Sequence, residues 1–133
     1  MSADEPVALH YEPGAGTTPS RHPERARYDA DTVHAILDEA ILAHVAFVVD
    51  GRPAVLPMLF VRDGGSLYLH GSTGARPARM AARNKGKRLE VVIEATLVDE
   101  LVLARSAFSH SANYRSVVAH GAVVLVNEEA EKQ

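Results

Sequence analysis

The sequence predicts a mainly β protein with minor α content, a six-stranded antiparallel barrel with one helix ahead of the strands and a short helix after the third. Three observations carry this. Runs rich in β-branched residues at 43–49, 54–62 and 67–70 follow one another across the turn signals Asp50-Gly51 and Asp63-Gly64-Gly65. Three further runs, 89–97, 101–108 and 114–126, fill the second half of the chain, which has no proline after Pro77. Helical periodicity is confined to two short stretches. Many short strands with tight turns and few helices favour closure into a barrel, because closure removes exposed strand edges.

In chain order, residues 1–27 contain Pro6, Pro13, Gly14, Gly16, Pro19 and Pro23 with little apolar periodicity. They read as an extended arm, free or wrapped on a partner subunit, ahead of a domain spanning 28–133. Val33, Ile36, Leu37 and Ala40 then fall at i, i+3, i+4 and i+7 behind Asp29 or Asp31 as N-cap, which predicts an amphipathic helix. A meander of three strands follows, Ala43 to Val49, Ala54 to Arg62 and Leu67 to His70. The second helix is expected from Arg76 to near Gly86, since Pro77 suits a first helical turn and glycine the residue after the last. Leu89 to Leu97 and Leu101 to Phe108 read as two strands around Asp99-Glu100. After the polar segment Ser109 to Asn113 comes a long strand from Tyr114 to Val126, and the acidic end reads as the beginning of a helix.

Composition narrows the chemistry. A chain of 133 residues, 47% of them hydrophobic, can bury one core without staples. It contains no cysteine, which leaves no disulfide, thiolate nucleophile or cysteine-based metal site. A net charge of -3 gives no overall attraction to nucleic acid or to an anionic membrane, so any anion site must be local. No run approaches the roughly 18 apolar residues of a membrane span, and the polar start lacks a signal-peptide pattern, so a cytoplasmic protein is expected. No dedicated metal site is expected either, because the histidines are scattered and no His-Glu-x-x-His motif occurs.

Two segments stand out as sites. The first is residues 67–80, Leu-Tyr-Leu-His-Gly-Ser-Thr-Gly-Ala-Arg-Pro-Ala-Arg-Met. A strand that ends in His-Gly-Ser-Thr-Gly and feeds a helix start can aim several backbone N–H groups at one point, where the helix dipole also favours negative charge. Gly71 and Gly74 permit close approach, Ser72 and Thr73 add hydroxyls, and Arg76 and Arg79 project from one helix face. The combination suits a terminal phosphate monoester; a strand-to-helix turn with solvated arginines fits the same residues. It is neither a Walker loop nor a dinucleotide fingerprint. His70, beside this turn, could hold a substrate or transfer a proton near neutral pH, and a histidine satisfied by a backbone carbonyl would look the same. The second segment, 105–118, places His110, Tyr114 and Arg115 among four serines where a hairpin needs only a turn. Tyr114 and Arg115 alternate faces, so one of them points at any given pocket; a solvated loop with a paired arginine is the other reading. Pro57 within Leu56-Pro57-Met58 favours an edge or ligand-lining strand.

Together, Arg27-Tyr-Asp, His44-Val-Ala-Phe, Asp50-Gly-Arg-Pro, Leu67-Tyr-Leu-His-Gly-Ser, Leu101-Val-Leu-Ala-Arg-Ser-Ala-Phe and His110-Ser-Ala-Asn-Tyr-Arg-Ser-Val-Val resemble the FMN-binding split-barrel proteins related to pyridoxamine 5'-phosphate oxidase. Within that superfamily the sequence looks most like the branch that includes the nitroimidazole-resistance proteins. The resemblance runs from about Arg21 to Lys132. It implies a homodimer of split barrels with FMN in clefts along the subunit interface. By the same analogy Val55, Leu56, Pro57 and Met58 lie by the isoalloxazine. Leu69, His70, Gly71, Ser72, Arg76 and Arg79 surround the phosphate turn, and Asn113, Tyr114, Arg115 and Ser116 complete a cleft, in this protomer or its partner. His70 and Tyr114 are then the expected proton donors or substrate contacts.

Two departures from the family pattern are visible: Ala75 stands where relatives commonly carry a hydroxyl residue, and the C-terminus is short relative to the family. The implied activity is an oxidoreductase that passes electrons from a reduced donor to a small acceptor, by the branch resemblance a nitroaromatic. The alternatives are a non-catalytic flavin, haem or deazaflavin binder, or a cofactor-free dimeric interaction module.

Overall fold

Helix α1, Ala30–Glu39, opens where the sequence offers a choice of caps, and Asp29 is the one used. Its carboxylate accepts a hydrogen bond from the backbone N–H of Thr32 at 3.1 Å, satisfying one of the donors that a helix start leaves free. The computed structural model describes residues 11–70, 76–83, 88–106 and 110–124. Strands β1, Leu42–Val49, and β2, Arg52–Asp63, form a hairpin whose turn residues Asp50 and Gly51 both take positive φ, 50° and 75°, as the right-handed twist of a tight hairpin requires. After Gly64 and Gly65 comes β3, Ser66–His70. Helix α2, Arg76–Arg83, then leads to β4, Arg88–Val102, and the chain returns as β5, Ser111–Val124.

The two runs 89–97 and 101–108 expected as separate strands are largely one: β4 continues through Asp99-Glu100 to Val102. A bulge between Val98 and Glu100 explains the misreading, because the polar pair kinks the strand without ending it. The described strands make a five-stranded antiparallel sheet of order β3-β2-β1-β4-β5, so β1 is central and α2 carries the chain from one outer strand towards the other side. β5 begins three residues earlier than the predicted Tyr114. Phe108, Leu125, Val126 and the acidic end expected to start a helix lie outside the described residues.

Strict alternation sorts the sheet into two faces. Ala43, Val45, Phe47, Met58, Phe60, Leu89, Val91, Ile93, Ala95 and Val117 point to one side and are buried with Ile36 and Leu37 of α1 and Ala81 of α2. This is the inner, helix-covered face. The opposite, outer face shows Val48, Val55, Leu59, Val61, Tyr68, Val98, Tyr114 and Val118, all exposed.

The described part of the N-terminal arm lies on the domain. Tyr11 donates its N–H to the carbonyl of Tyr28 at 2.9 Å, and its hydroxyl lies 2.7 Å from His34 Nε2 on α1. Tyr28 donates its hydroxyl to the carbonyl of Thr17 at 2.6 Å, and His120 Nε2 sits 3.2 Å from the carbonyl of Gly16. No helix among the described residues is long and apolar enough to cross a membrane.

Candidate functional site

The alternation that builds the sheet also divides the residues singled out in the sequence. On β2, Val55 and Pro57 face outward, whereas Leu56 and Met58 face inward and belong to the core or pack against it. On β3, His70 faces outward and Leu69 inward against the core. Register places His70 opposite Leu59, and Leu59 opposite Leu42 of β1. His70 therefore stands on the outer face, two residues along from Pro57 on the neighbouring strand, and is the last described residue before the glycine-rich turn. Gly71 and Ser72 lie outside the described residues. Arg76 opens α2, and Arg79, further along it, is exposed. Residues 71–75, on which the phosphate-site reading rests, lie between the end of β3 and the start of α2 and outside the described residues.

The Asn113–Ser116 segment is the opening of β5. Tyr114 and Ser116 face outward and are exposed. β5 is separated from β2 by β4 and β1, a lateral span of about 14 Å at the usual strand spacing. Within one chain, then, Val55 and Pro57 do not meet Tyr114 and Ser116. A broad concavity of about 2650 Å³ bounded by the arm, α1 and both outer strands includes His70 and Asn113–Ser116 in its lining, but not Val55 or Pro57. Of the outward-facing candidates, His70, Tyr114 and Ser116 line this concavity, and Val55 and Pro57 lie outside it.

Arg115 turns to the helix side, as alternation demands, and is engaged there. It donates to Asp99 through Nε at 2.9 Å and Nη2 at 2.8 Å, and to Glu39 at the end of α1 through Nη1 at 2.8 Å. The guanidinium holds both carboxyls below their ordinary range, and the two carboxylates raise the pKa of Arg115 in return. Asp99 follows Leu97, the cross-strand neighbour of Arg115, by two residues and so stands on the same face, and the bulge then sets Glu100 opposite Asn113. Asn113 donates to Glu100 at 2.9 Å, and the ring of His110 accepts the Ala104 N–H at 2.8 Å, closing the β4–β5 connection. Arg62 makes a parallel pair of bonds to Asp38 on α1, both at 2.7 Å, and keeps the Asp38 carboxyl low.

Sequence reasoning passed over one outward-facing group. His44, in the middle of the central strand, lies with Nδ1 3.5 Å from Glu94 Oε1, and Thr96 donates its hydroxyl to Glu94 Oε2 at 2.6 Å. The signal was available: a histidine between two fully buried small residues, Ala43 and Val45, has to face outward.

Comparison with known proteins agrees with this architecture. The chain matches the family described as Pyridoxamine 5'-phosphate oxidase over residues 29–133. It is similar to the solved structure of the flavocytochrome Anf3 from Azotobacter vinelandii, with 38% identity and a TM-score of 0.76, over 92% of this chain and 55% of that one. It is also similar to the FAD and heme binding protein from Mycobacterium smegmatis, with 34% identity and a TM-score of 0.67, over 77% of this chain and 48% of that one. The chain thus spans about half the length of either structure. No protein of curated function matches the sequence.

Proposed function

Because the chain belongs to the pyridoxamine 5'-phosphate oxidase family, we propose that it binds a flavin, FMN, and works as an oxidoreductase between a reduced donor and a small acceptor such as a nitroaromatic. The observation that carries the reading is the pair of similar solved structures, one named a flavocytochrome and the other an FAD and heme binding protein, which cover most of this chain. The residues fit such a group. A strand end and a helix start flank the glycine-rich turn, Arg79 is an exposed cation beside it, and Val55 and Pro57 offer an open apolar strip on the same face as His70.

In this reading residues 71–75, with Arg76 and Arg79, would hold the phosphate, and Val55 and Pro57 would support the ring. A bound flavin supplies the capacity to accept and release reducing equivalents one or two at a time. The chain's own groups would bind and orient it: His70 would be available beside the flavin, and Tyr114 would offer a hydroxyl for a proton or a substrate contact. Since β4 and β1 separate Tyr114 and Ser116 from Val55 and Pro57, these groups join one cleft when a second copy covers the outer face. The working unit in this reading is a homodimer of split barrels.

The experiment is a visible absorbance spectrum before and after addition of FMN and desalting. Retained flavin bands are expected, and the Arg76→Ala, Arg79→Ala double variant should weaken FMN binding by about tenfold or more, the loss of charge-assisted phosphate contacts. Undiminished binding in that variant sinks the phosphate assignment. A second reading, a flavin and haem carrier, is favoured by the word heme in the name of one similar structure and flavocytochrome in that of the other; a Soret band on haem addition would select it.

A further inference from the structure

Across the centre of the outer face, one row of cross-strand neighbours reads Pro57, His44, Glu94, Val118, from β2 through β1 and β4 to β5. Adjacent rows contribute Leu42, Val55 and Leu59, exposed and apolar. In this apolar field the His44 side chain is 52% exposed and that of Glu94 33%. The carboxylate is held from both ends: Thr96 donates to Oε2 at 2.6 Å, and Oε1 faces His44 Nδ1 at 3.5 Å. The carboxylate oxygen beside Nδ1 leaves Nε2 as the polar atom of the imidazole that Glu94 does not engage. Neither the core nor the helix clamps use these three side chains.

We infer that His44, positioned by Glu94 and Thr96, contacts the polar edge of the flavin ring, its Nε2 accepting a hydrogen bond from the N–H of that edge while the ring lies over Val55 and Pro57. The inference rests on the flavin reading above. Cross-strand neighbours stand about 5 Å apart at Cβ, so a ring supported by Pro57 falls within reach of the imidazole beside it. An isoalloxazine presents a mixed donor and acceptor edge on an apolar body, which is the complement of a lone oriented imidazole within an apolar strip. Glu94 acts through His44: its charge next to the ring disfavours the negatively charged reduced flavin.

FMN titrations of the wild type, His44→Ala, His44→Phe and Glu94→Gln test this. Both His44 variants should bind FMN about tenfold more weakly, His44→Phe included, since it keeps the apolar cover and loses the acceptor. Glu94→Gln should bind FMN nearly as well as wild type but shift the bound flavin's midpoint potential to a more positive value, a change that a purely structural role would not cause. Circular dichroism checks that each variant folds. Equal affinity, spectrum and potential in all four overturn the inference and leave the flavin reading standing. Weaker self-association of His44→Ala with unchanged FMN affinity also overturns it, in favour of a second copy covering His44. A wild type that takes up no flavin removes the flavin reading and this contact with it.

Discussion

Arg115 shows how one residue's partners decide its role. Paired with Asp99 on its own sheet and Glu39 on α1, it ties the end of the helix to β5 at a point where two acidic residues would otherwise crowd a helix C-terminus that disfavours negative charge. Arg115→Ala is expected to lower Tm by several degrees. High salt should narrow the gap to wild type, because these groups are partly exposed and screened; thermal melts at two ionic strengths measure this. The same pairs set the acid limb of stability. Asp38, Glu39 and Asp99 have folded pKa values below their ordinary 3.8, 4.5 and 3.8, so their contribution is complete above about pH 5 and is lost as pH falls through the folded values. Asp29, held down to about 2 chiefly by the Thr32 hydroxyl, extends that loss to the lowest pH. Melting temperatures from pH 5 to 2 should decline steadily, and more shallowly in Arg115→Ala.

At the scale of elements, β1 is the organiser. It pairs with β2 over its whole length and with β4 through His44, Val45 and Ala46, and its inward residues Ala43, Val45 and Phe47 are buried. Phe47 is its one aromatic core side chain, so Phe47→Ala should cost about 3–5 kcal/mol by chemical denaturation, the combined loss of burial and packing. The bulge in β4 is the second decisive feature. β4 and β5 stay paired beyond it as far as Val102 and Ser111, and Arg115, bonded to Asp99 and Glu39, anchors the long hairpin to α1.

At the scale of the whole molecule, the asymmetry between the two sheet faces dominates. One is covered by both helices, whereas the other leaves Val48, Val55, Leu59, Val61 and Val118 exposed around His44 and Glu94. An isologous contact through this face would repeat every substitution twice. Leu59→Asp is therefore expected to give a folded monomer in sedimentation velocity runs where wild type sediments as a dimer. A wild-type monomer at all accessible concentrations would remove the shared-cleft arrangement proposed for Tyr114 and Ser116.

Sequence alone carries the local grammar: a helix cap at Asp29 or Asp31, the Asp50-Gly51 hairpin, the alternation that buries Val45 and exposes His44, and a motif set sufficient to point to the family. These are legible because they depend on neighbours within a few residues. Only the tertiary structure decided the rest. Asp99-Glu100 reads as the break between two strands and is a bulge within one, because pairing with β5 across fourteen residue pairs outweighs the local polar signal. Arg115 reads either as a cleft residue or as a paired arginine, and the partner it meets, Glu39, lies 76 residues away in the chain. His44 meets Glu94 only because β1 lies between β2 and β4, a strand order that no periodicity encodes. Long-range partners are chosen by the packing of whole elements, and that choice is made by the sum of the core rather than by any stretch of sequence.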